Sequence, residues 1–257
     1  MLFKAKTNCA HTIKILTEIL YNNVKNICLE ISKDGIKIHA INSVRSILLD
    51  VELYANNFNV YKYKNSNPIY IGVIASHFYK MLKSIKKKDS LCLYIAQDKL
   101  YEICIQVTSN ESERITSSSL NITEEQICIR DFPSGYKKSN LIQSNEFSKT
   151  IKDLQAIGKT IRIQKSNFIT FTATIEHLFK RTVAFGDKED FDEDEFDEIY
   201  YTELFSNIQK ISSISKTIHI YVSTGNPLLL KADIGTLGVL QIFIKSIKDV
   251  EHDNLNV

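Results

Sequence analysis

The chain has 257 residues, 44% of them hydrophobic and 24% charged, with a formal net charge of +2. That is the composition of packed globular protein, long enough for two ordinary domains, and it excludes a disordered or collagen-like chain. No apolar run approaches the roughly 18 residues of a membrane span, so no membrane partner is expected.

The N-terminal MLFKAKTNCAHTIKIL lacks the apolar core of a signal peptide. Five scattered cysteines, an odd number, point away from a disulfide framework and toward a reducing compartment. The small net charge hides an asymmetry. Asp187–Glu198 holds nine acidic residues and one lysine, which leaves 31 basic and 21 acidic residues elsewhere. A body that basic suits a polyanionic partner.

In chain order, Leu2–Lys6 reads as a strand. Ala10–Tyr21 reads as a helix, with Ile13, Leu16, Ile19 and Leu20 at helical spacing. Ile27–Ile31 and Ile36–Ile38 flank Asp34-Gly35, a hairpin signal. Ile47–Leu53 and Val60–Tyr63 are further strands. Ser76 opens a second helix to about Lys87, with Phe78, Met81, Leu82 and Ile85 on its apolar face. Leu91–Ala96 and Tyr101–Val107 close this half as a hairpin.

Residues 112–135 are serine-rich, carry the aliphatics Leu120, Ile122, Ile127 and Ile129, and end in the turn formers Asp131-Phe132-Pro133-Ser134-Gly135. The stretch reads as an extended connector between similar halves. The division expected is 1–111, the connector 112–135, then 136–249, with 250–257 as a flexible tail. Thr150-Ile151-Lys152 with Leu154 falls on Thr12-Ile13-Lys14 with Leu16 at an offset of 138. Ser206, Ile208, Lys210 and Ile211 fall on Ser76, Phe78, Lys80 and Met81 at an offset of 130. A strand–helix–strands unit therefore occurs twice in each half.

Catalytic signatures are missing: no phosphate-binding glycine loop, no Cys-x-x-Cys, no His-Glu-x-x-His and no Gly-x-Ser-x-Gly. An enzyme, a cofactor and a metal are not expected. Asp190, Asp192 and Asp194 alternate as in a calcium loop. Glu195 stands where that loop requires Gly, however, and Tyr201 where it requires the bidentate Glu. The lysines say more. Lys14, then Lys80, Lys83 and Lys87, then Lys149 and Lys152, then Lys210 lie off the apolar stripe of four successive helices. Exposed helix faces are often lysine-rich, but four repeats doing the same predict a surface that reads phosphate rather than bases.

Phe3-Lys4-Ala5-Lys6, the Asp34-Gly35 hairpin, Lys80-Met81-Leu82-Lys83, Asn145-Glu146-Phe147 with Lys152-Asp153-Leu154, and Asn226-Pro227-Leu228-Leu229 follow one another in a recognisable order. In that order and spacing the chain resembles the sliding clamps of the proliferating cell nuclear antigen (PCNA) type, over about Leu2 to Ile247. The resemblance implies an α+β DNA-clamp fold: two domains of duplicated topology, helices on the inner face, antiparallel sheets outside. It implies a homotrimeric ring around double-stranded DNA that tethers DNA polymerase and is loaded by an ATP-dependent clamp loader. Lys14, Arg45, Lys80, Lys83, Lys149, Lys152 and Lys210 then fall on DNA-facing positions. Ile41, Ile127, Ile129, Pro227, Phe243 and Ile244 fall on a groove for partner peptides beside the connector.

The resemblance also suggests that Tyr101–Val107 of one copy meets Phe179–Phe185 of the next. The lysine- and isoleucine-heavy composition suggests a viral member, which would work at a cytoplasmic viral replication site instead of in the nucleus. Departures are visible. Cys128-Ile129-Arg130 replaces the family's Gly-Ile-Pro, and Ile244-Lys245-Ser246 replaces an Ala-Pro pair after the groove aromatic. Ser166, with Lys165 beside it, stands where the family carries a modified lysine. The alternative on the same scaffold is a checkpoint-type clamp subunit, an open polymerase accessory factor, or a viral transcription factor.

Overall fold

Alternating apolar strands and helices with a single apolar stripe can bury their hydrophobic residues only by packing helix on sheet. In the computed structural model, which describes residues 1–123, 132–186 and 196–255, the chain does this in two compact units. The first draws on Met1–Ala40, the stretch from Leu49 onward, and Asp233–Leu240. The second draws on Ile41–Leu48, the stretch up to Ala232, and Gln241 onward. Neither unit is one continuous piece of chain, unlike the division expected from the sequence.

The first unit opens with β1 (Phe3–Thr7), α1 (Ala10–Asn23), β2 (Asn26–Ile31), β3 (Gly35–Ile41) and β4 (Ile47–Tyr54). It continues with β5 (Val60–Tyr63), β6 (Ile69–Ile74), α2 (Ala75–Leu82), β7 (Ser90–Ala96), β8 (Lys99–Thr108) and β9 (Ile115–Asn121). An antiparallel sheet runs β5-β1-β7-β8-β9, and β2 lies between β3 and β6. Gly35, in the expected hairpin turn, has φ +148°, and a Cβ there would lie 2.0 Å from the Leu53 carbonyl oxygen. Only glycine lets β4 come so close. The core gathers Phe3, Leu16, Ile19, Ile31, Leu49, Val51 and Leu82, all essentially excluded from water.

The second unit holds β10 (Ser139–Gln143), α3 (Ser144–Gln155), β11 (Thr160–Lys165), β12 (Ile169–Ile175) and β13 (Phe179–Phe185). After these come β14 (Phe196–Tyr201), α4 (Thr202–Ser206), a 3-10 turn at Gln209–Ser213, β15 (Thr217–Tyr221), β16 (Leu228–Ile234), β17 (Gly238–Ile244) and α5 (Ile247–Leu255), of which Asp233–Leu240 counts with the first unit. One sheet is ordered β13-β12-β11-β14, and β15 pairs with both β10 and β16. Phe147, Phe171, Phe205 and Tyr200 make the aromatic heart of its core, with ring centroids about 6 Å apart. Antiparallel sheets with helices packed on them make the α+β class expected from the sequence.

The repeat is present, but one helical turn out of the register read from the sequence. The Ala75 N–H donates to the Lys25 carbonyl, and the Thr202 N–H donates to the Lys159 carbonyl, both at 2.9 Å. Those twin bonds align α1 with α3 at an offset of 134, and α2 with α4 at 127. Buried Ile13, Leu16, Thr17 and Leu20 then fall on buried Phe147, Thr150, Ile151 and Leu154. Sliding a helix by three or four residues returns the same face to the core, so apolar spacing alone cannot separate 134 from 138.

Three further differences have clear causes. The supposed connector begins as β9, paired with β8 from Ile115 to Asn121. Its serines read as loop because this strand lies at the sheet edge, facing water. Residues 250–255, expected as tail, belong to α5, whose start Ser246 caps: its hydroxyl accepts the Asp249 N–H at 3.2 Å and donates to the Asp249 carboxylate at 2.8 Å. Cysteine spacing along the chain does not show which residues folding brings together. Cys28 is disulfide-bonded, while Cys9, Cys92 and Cys104 are free thiols.

Ser246→Ala should remove that cap at a cost of about 1 kcal/mol of local stability. Amide exchange in residues 247–253 should then quicken while the core strands keep their protection. Unchanged exchange there would mean that the cap does not hold the helix.

Candidate nucleic-acid and partner surfaces

A helix that buries one stripe must show the remainder. In the first unit Lys80, Lys83 and Lys87 are exposed along and beyond α2, near whose C-terminal end cations are favoured. Lys14 is different: half-buried, its Nζ donates at 3.0 Å to the carbonyl of Ile85, tying α1 to the segment after α2. Burial first, then the charges of Lys14 and Lys87, push the His11 imidazole below its usual range. Positive potential thus accumulates where α1 begins and the segment after α2 ends.

In the second unit Lys149 and Lys152 are exposed on α3 and Lys210 in the 3-10 turn. Under the corrected alignment Lys83 corresponds to Lys210, and Lys25 to Lys159. Ser148 stands at the position of Lys14, and its hydroxyl donates to the Gln209 carbonyl at 2.8 Å, tying the same helix pair without a charge. The lysines of the two units are therefore similar in number but not equivalent one by one. Arg45 is exposed in the tight turn Asn42–Ser46 at φ +53°. Its charge reaches α5: Lys245 beside Asp253, and more weakly His252 and Arg45, hold that carboxyl below the usual range.

Four of the residues expected in the partner groove, Ile41, Pro227, Phe243 and Ile244, belong to the second unit. Ile41 is exposed and Pro227 half-buried, but Phe243 is 3% exposed and Ile244 fully buried. Ile244 points into the core and offers nothing to a partner. Ile127 and Ile129 lie outside the described residues. Sequence reasoning missed the aromatics over Phe243. Phe132 stacks on it at 6.0 Å and Tyr136 leans on it at 6.3 Å. The Tyr136 hydroxyl donates to the Pro227 carbonyl at 2.7 Å, and burial raises its pKa. Tyr221 packs edge-on against Tyr136, and His219 stacks on Tyr221 while sharing a hydrogen bond with Ser139. The signal in the sequence is Phe132-Pro133-Ser134-Gly135-Tyr136, two aromatics flanking a turn.

Two edges complete the inventory. The segment Tyr101–Val107, suggested as an intersubunit edge, lies within β8, between β7 and β9. With β5 and β14 at the opposite sides, one edge of that sheet is β9 and one edge of the four-stranded sheet is β13. Both run seven residues and are largely exposed, with Ile115 at 59% and Phe179 at 52%. Lys165 on β11 is buried, and among the described residues no group of three His, Cys, Asp or Glu side chains is placed to hold a metal ion.

Residues 2–128 match the family model described as proliferating cell nuclear antigen, N-terminal domain. The chain is 20% identical over 258 aligned residues to a "Probable DNA polymerase sliding clamp 1" of Paramecium bursaria Chlorella virus 1, covering 96% of this chain and 97% of that one. It is 22% identical to the proliferating cell nuclear antigen of Chaetomium thermophilum, covering 95% and 97% of the two chains. With the DNA polymerase sliding clamp of Pyrococcus furiosus it shares 26% identity over about half of each chain.

Two outcomes check this geometry. Tyr136→Phe deletes one bond to a half-buried carbonyl and should lower stability by about 1 kcal/mol in denaturant unfolding; no change would place the hydroxyl in water. The Arg162 guanidinium holds the Asp197 carboxyl below its ordinary 3.8, so the pair stabilises above that pH and is lost as pH falls through the lower folded value. Because the pair is exposed and screened by solvent, the effect is small. Arg162→Gln should flatten the stability profile below pH 3.8, and a profile matching wild type would remove the pair from the account.

Proposed function

We propose that this chain, a divergent member of the PCNA-type sliding-clamp family, is a DNA polymerase processivity factor that closes into a homotrimeric ring around duplex DNA. The observation that carries the reading is the pair of long sheet edges. β9 and β13 end two different sheets in two different units, so β9 of one copy can continue into β13 of the next. Such a head-to-tail contact closes a ring when its rotation allows. It also leaves no exposed edge of this pair for aggregation.

The exposed lysines support the second half of the proposal. Lys80, Lys83, Lys149, Lys152 and Lys210 carry compact charges on flexible stems, suited to phosphate and indifferent to sequence. Lys14 contributes charge from a tethered position, and Arg45 serves the rim near α5. A closed ring cannot leave DNA sideways, so weak contacts suffice, and weak contacts permit sliding. Partner peptides dock at the aromatic surface of the second unit, where Tyr136, bonded to the Pro227 carbonyl, leans on buried Phe243, with exposed Ile41 as a further anchor. Ile127 and Ile129 are proposed as the groove's other wall. Loading needs an ATP-driven loader in trans. The full-length likeness to a viral relative favours action at a viral replication site, with the nucleus as the counterpart for a cellular chain.

Solution mass tests the ring. One chain is 29.4 kDa, so a homotrimer weighs about 88 kDa at any micromolar loading. A stable monomer or dimer would transfer the chain to an open accessory factor or a mixed clamp. Replacing Lys80, Lys83, Lys149 and Lys152 by Ala should lower duplex affinity and flatten its salt dependence by up to about 0.9 per lost phosphate contact. An unaltered slope would remove the lysine face from the proposal.

A further inference from the structure

The first unit carries a feature on its helix face that the second does not. Tyr21, in the last turns of α1, stacks on Tyr79 of α2 with ring centroids 5.3 Å apart and planes 12° from parallel. Tyr21 is 45% exposed. Since Tyr79 occupies one side of its ring, the exposed part is the other side and the hydroxyl edge. At the corresponding positions the second unit has Gln155 and Ser206, neither of them aromatic. The stack is therefore not needed to join two helices of this repeat.

Its setting is cationic. Lys14 tied to Ile85 and Tyr21 stacked on Tyr79 show that α1 and α2 run antiparallel, which orders the face from end to end. His11, Lys14 and Lys87 lie at one end, Lys83 and Lys80 follow, then the tyrosines, and Lys25 lies at the far end. Lys25, Lys80, Lys83 and Lys87 are exposed, and Glu18 is the one acid in either helix. Beside Tyr21 an open groove is lined by Asn22, Asn23, Val24, Lys25 and Ser76; Asn22, Lys25 and Ser76 are able to donate hydrogen bonds, while the Asn23 amide donates to the Ile19 carbonyl.

A flat aromatic face set within a row of lysines is the combination that single strands use. An unpaired base has a free π-face to stack, while the phosphates beside it meet the cations. In a duplex the bases are stacked on one another, and that face is closed.

We propose that Tyr21, backed by Tyr79, stacks an unpaired base, so that the helix face of the first unit binds single-stranded nucleic acid as well as duplex. This rests on reading the helix face as a nucleic-acid surface. The stack adds what the lysines lack: a means to tell where a duplex ends and a single strand begins.

The test compares a labelled oligothymidylate with a labelled duplex of the same length by fluorescence anisotropy over a salt series, on the full-length protein. Tyr21→Ala should weaken oligothymidylate binding about five- to a hundred-fold, the range for losing one stacked base. Its duplex affinity and both salt slopes should stay at wild-type values, with the melting temperature lowered by no more than a few degrees for the lost aromatic pair. Tyr21→Phe should bind as wild type, because the ring and not the hydroxyl makes the stack.

Unchanged single-strand affinity in Tyr21→Ala overturns the proposal, as does an equal loss on duplex. The lysine variants report separately: if they leave duplex binding intact, the helix-face reading falls whatever Tyr21 does. If neither nucleic acid binds the wild-type protein, both readings fall.

Discussion

Each long helix of this protein gives one stripe of side chains to a sheet, and that burial determines what the molecule can present to anything else. In α1 the stripe is Ile13, Leu16, Thr17 and Leu20; in α3 it is Phe147, Thr150, Ile151 and Leu154. At roughly 1.5–3 kcal/mol for each large apolar side chain taken from water, no surface contact competes with it. Rotation of either helix about its axis is therefore forbidden, and the outward residues are fixed as a by-product. Tyr21, Lys80, Lys149 and Lys152 hold their positions because the opposite sides of their helices are held.

Much of this was readable from residue order. The Asp34-Gly35 hairpin, most strands of the first half though not β6 or β9, the presence of its two helices and the existence of a duplication follow from period and turn chemistry. The register of the duplication did not, because a helix is nearly unchanged by a shift of one turn; hydrogen bonds at the strand–helix junctions, from Ala75 and Thr202, were needed to set it. β9 was hidden for the opposite reason. An edge strand facing water loses the alternation that marks a half-buried one, and Thr116–Ser119 then look like loop. The start of α5 was present in plain sight as Ser246-Ile247-Lys248-Asp249, a capping pattern.

The candidate surfaces divide in the same way. Lysines off an apolar stripe can be named from spacing, and six of the seven cations named lie on or beside the helices. The aromatic surface of the second unit could not be assembled from spacing. Phe132, Tyr136, Tyr221 and Phe243 are spread over more than a hundred residues of chain, and their meeting is a product of sheet order. Phe243 and Ile244 show the hazard of carrying positions over by likeness. Consecutive residues of a strand face opposite ways, and here one lies under aromatics while the other is in the core.

Lys14 has a consequence of its own. Its ammonium is held at the carbonyl of Ile85, so it cannot follow a phosphate that moves past, as Lys80 or Lys83 on free stems can. A charge that follows makes and breaks contacts, and each exchange is a small source of drag. A charge held in place attracts a polyanion without making and breaking a contact at each step. The first unit thus combines a fixed background attraction with a few movable contacts, and the ratio of the two, more than their sum, would govern how freely a polyanion travels across this face.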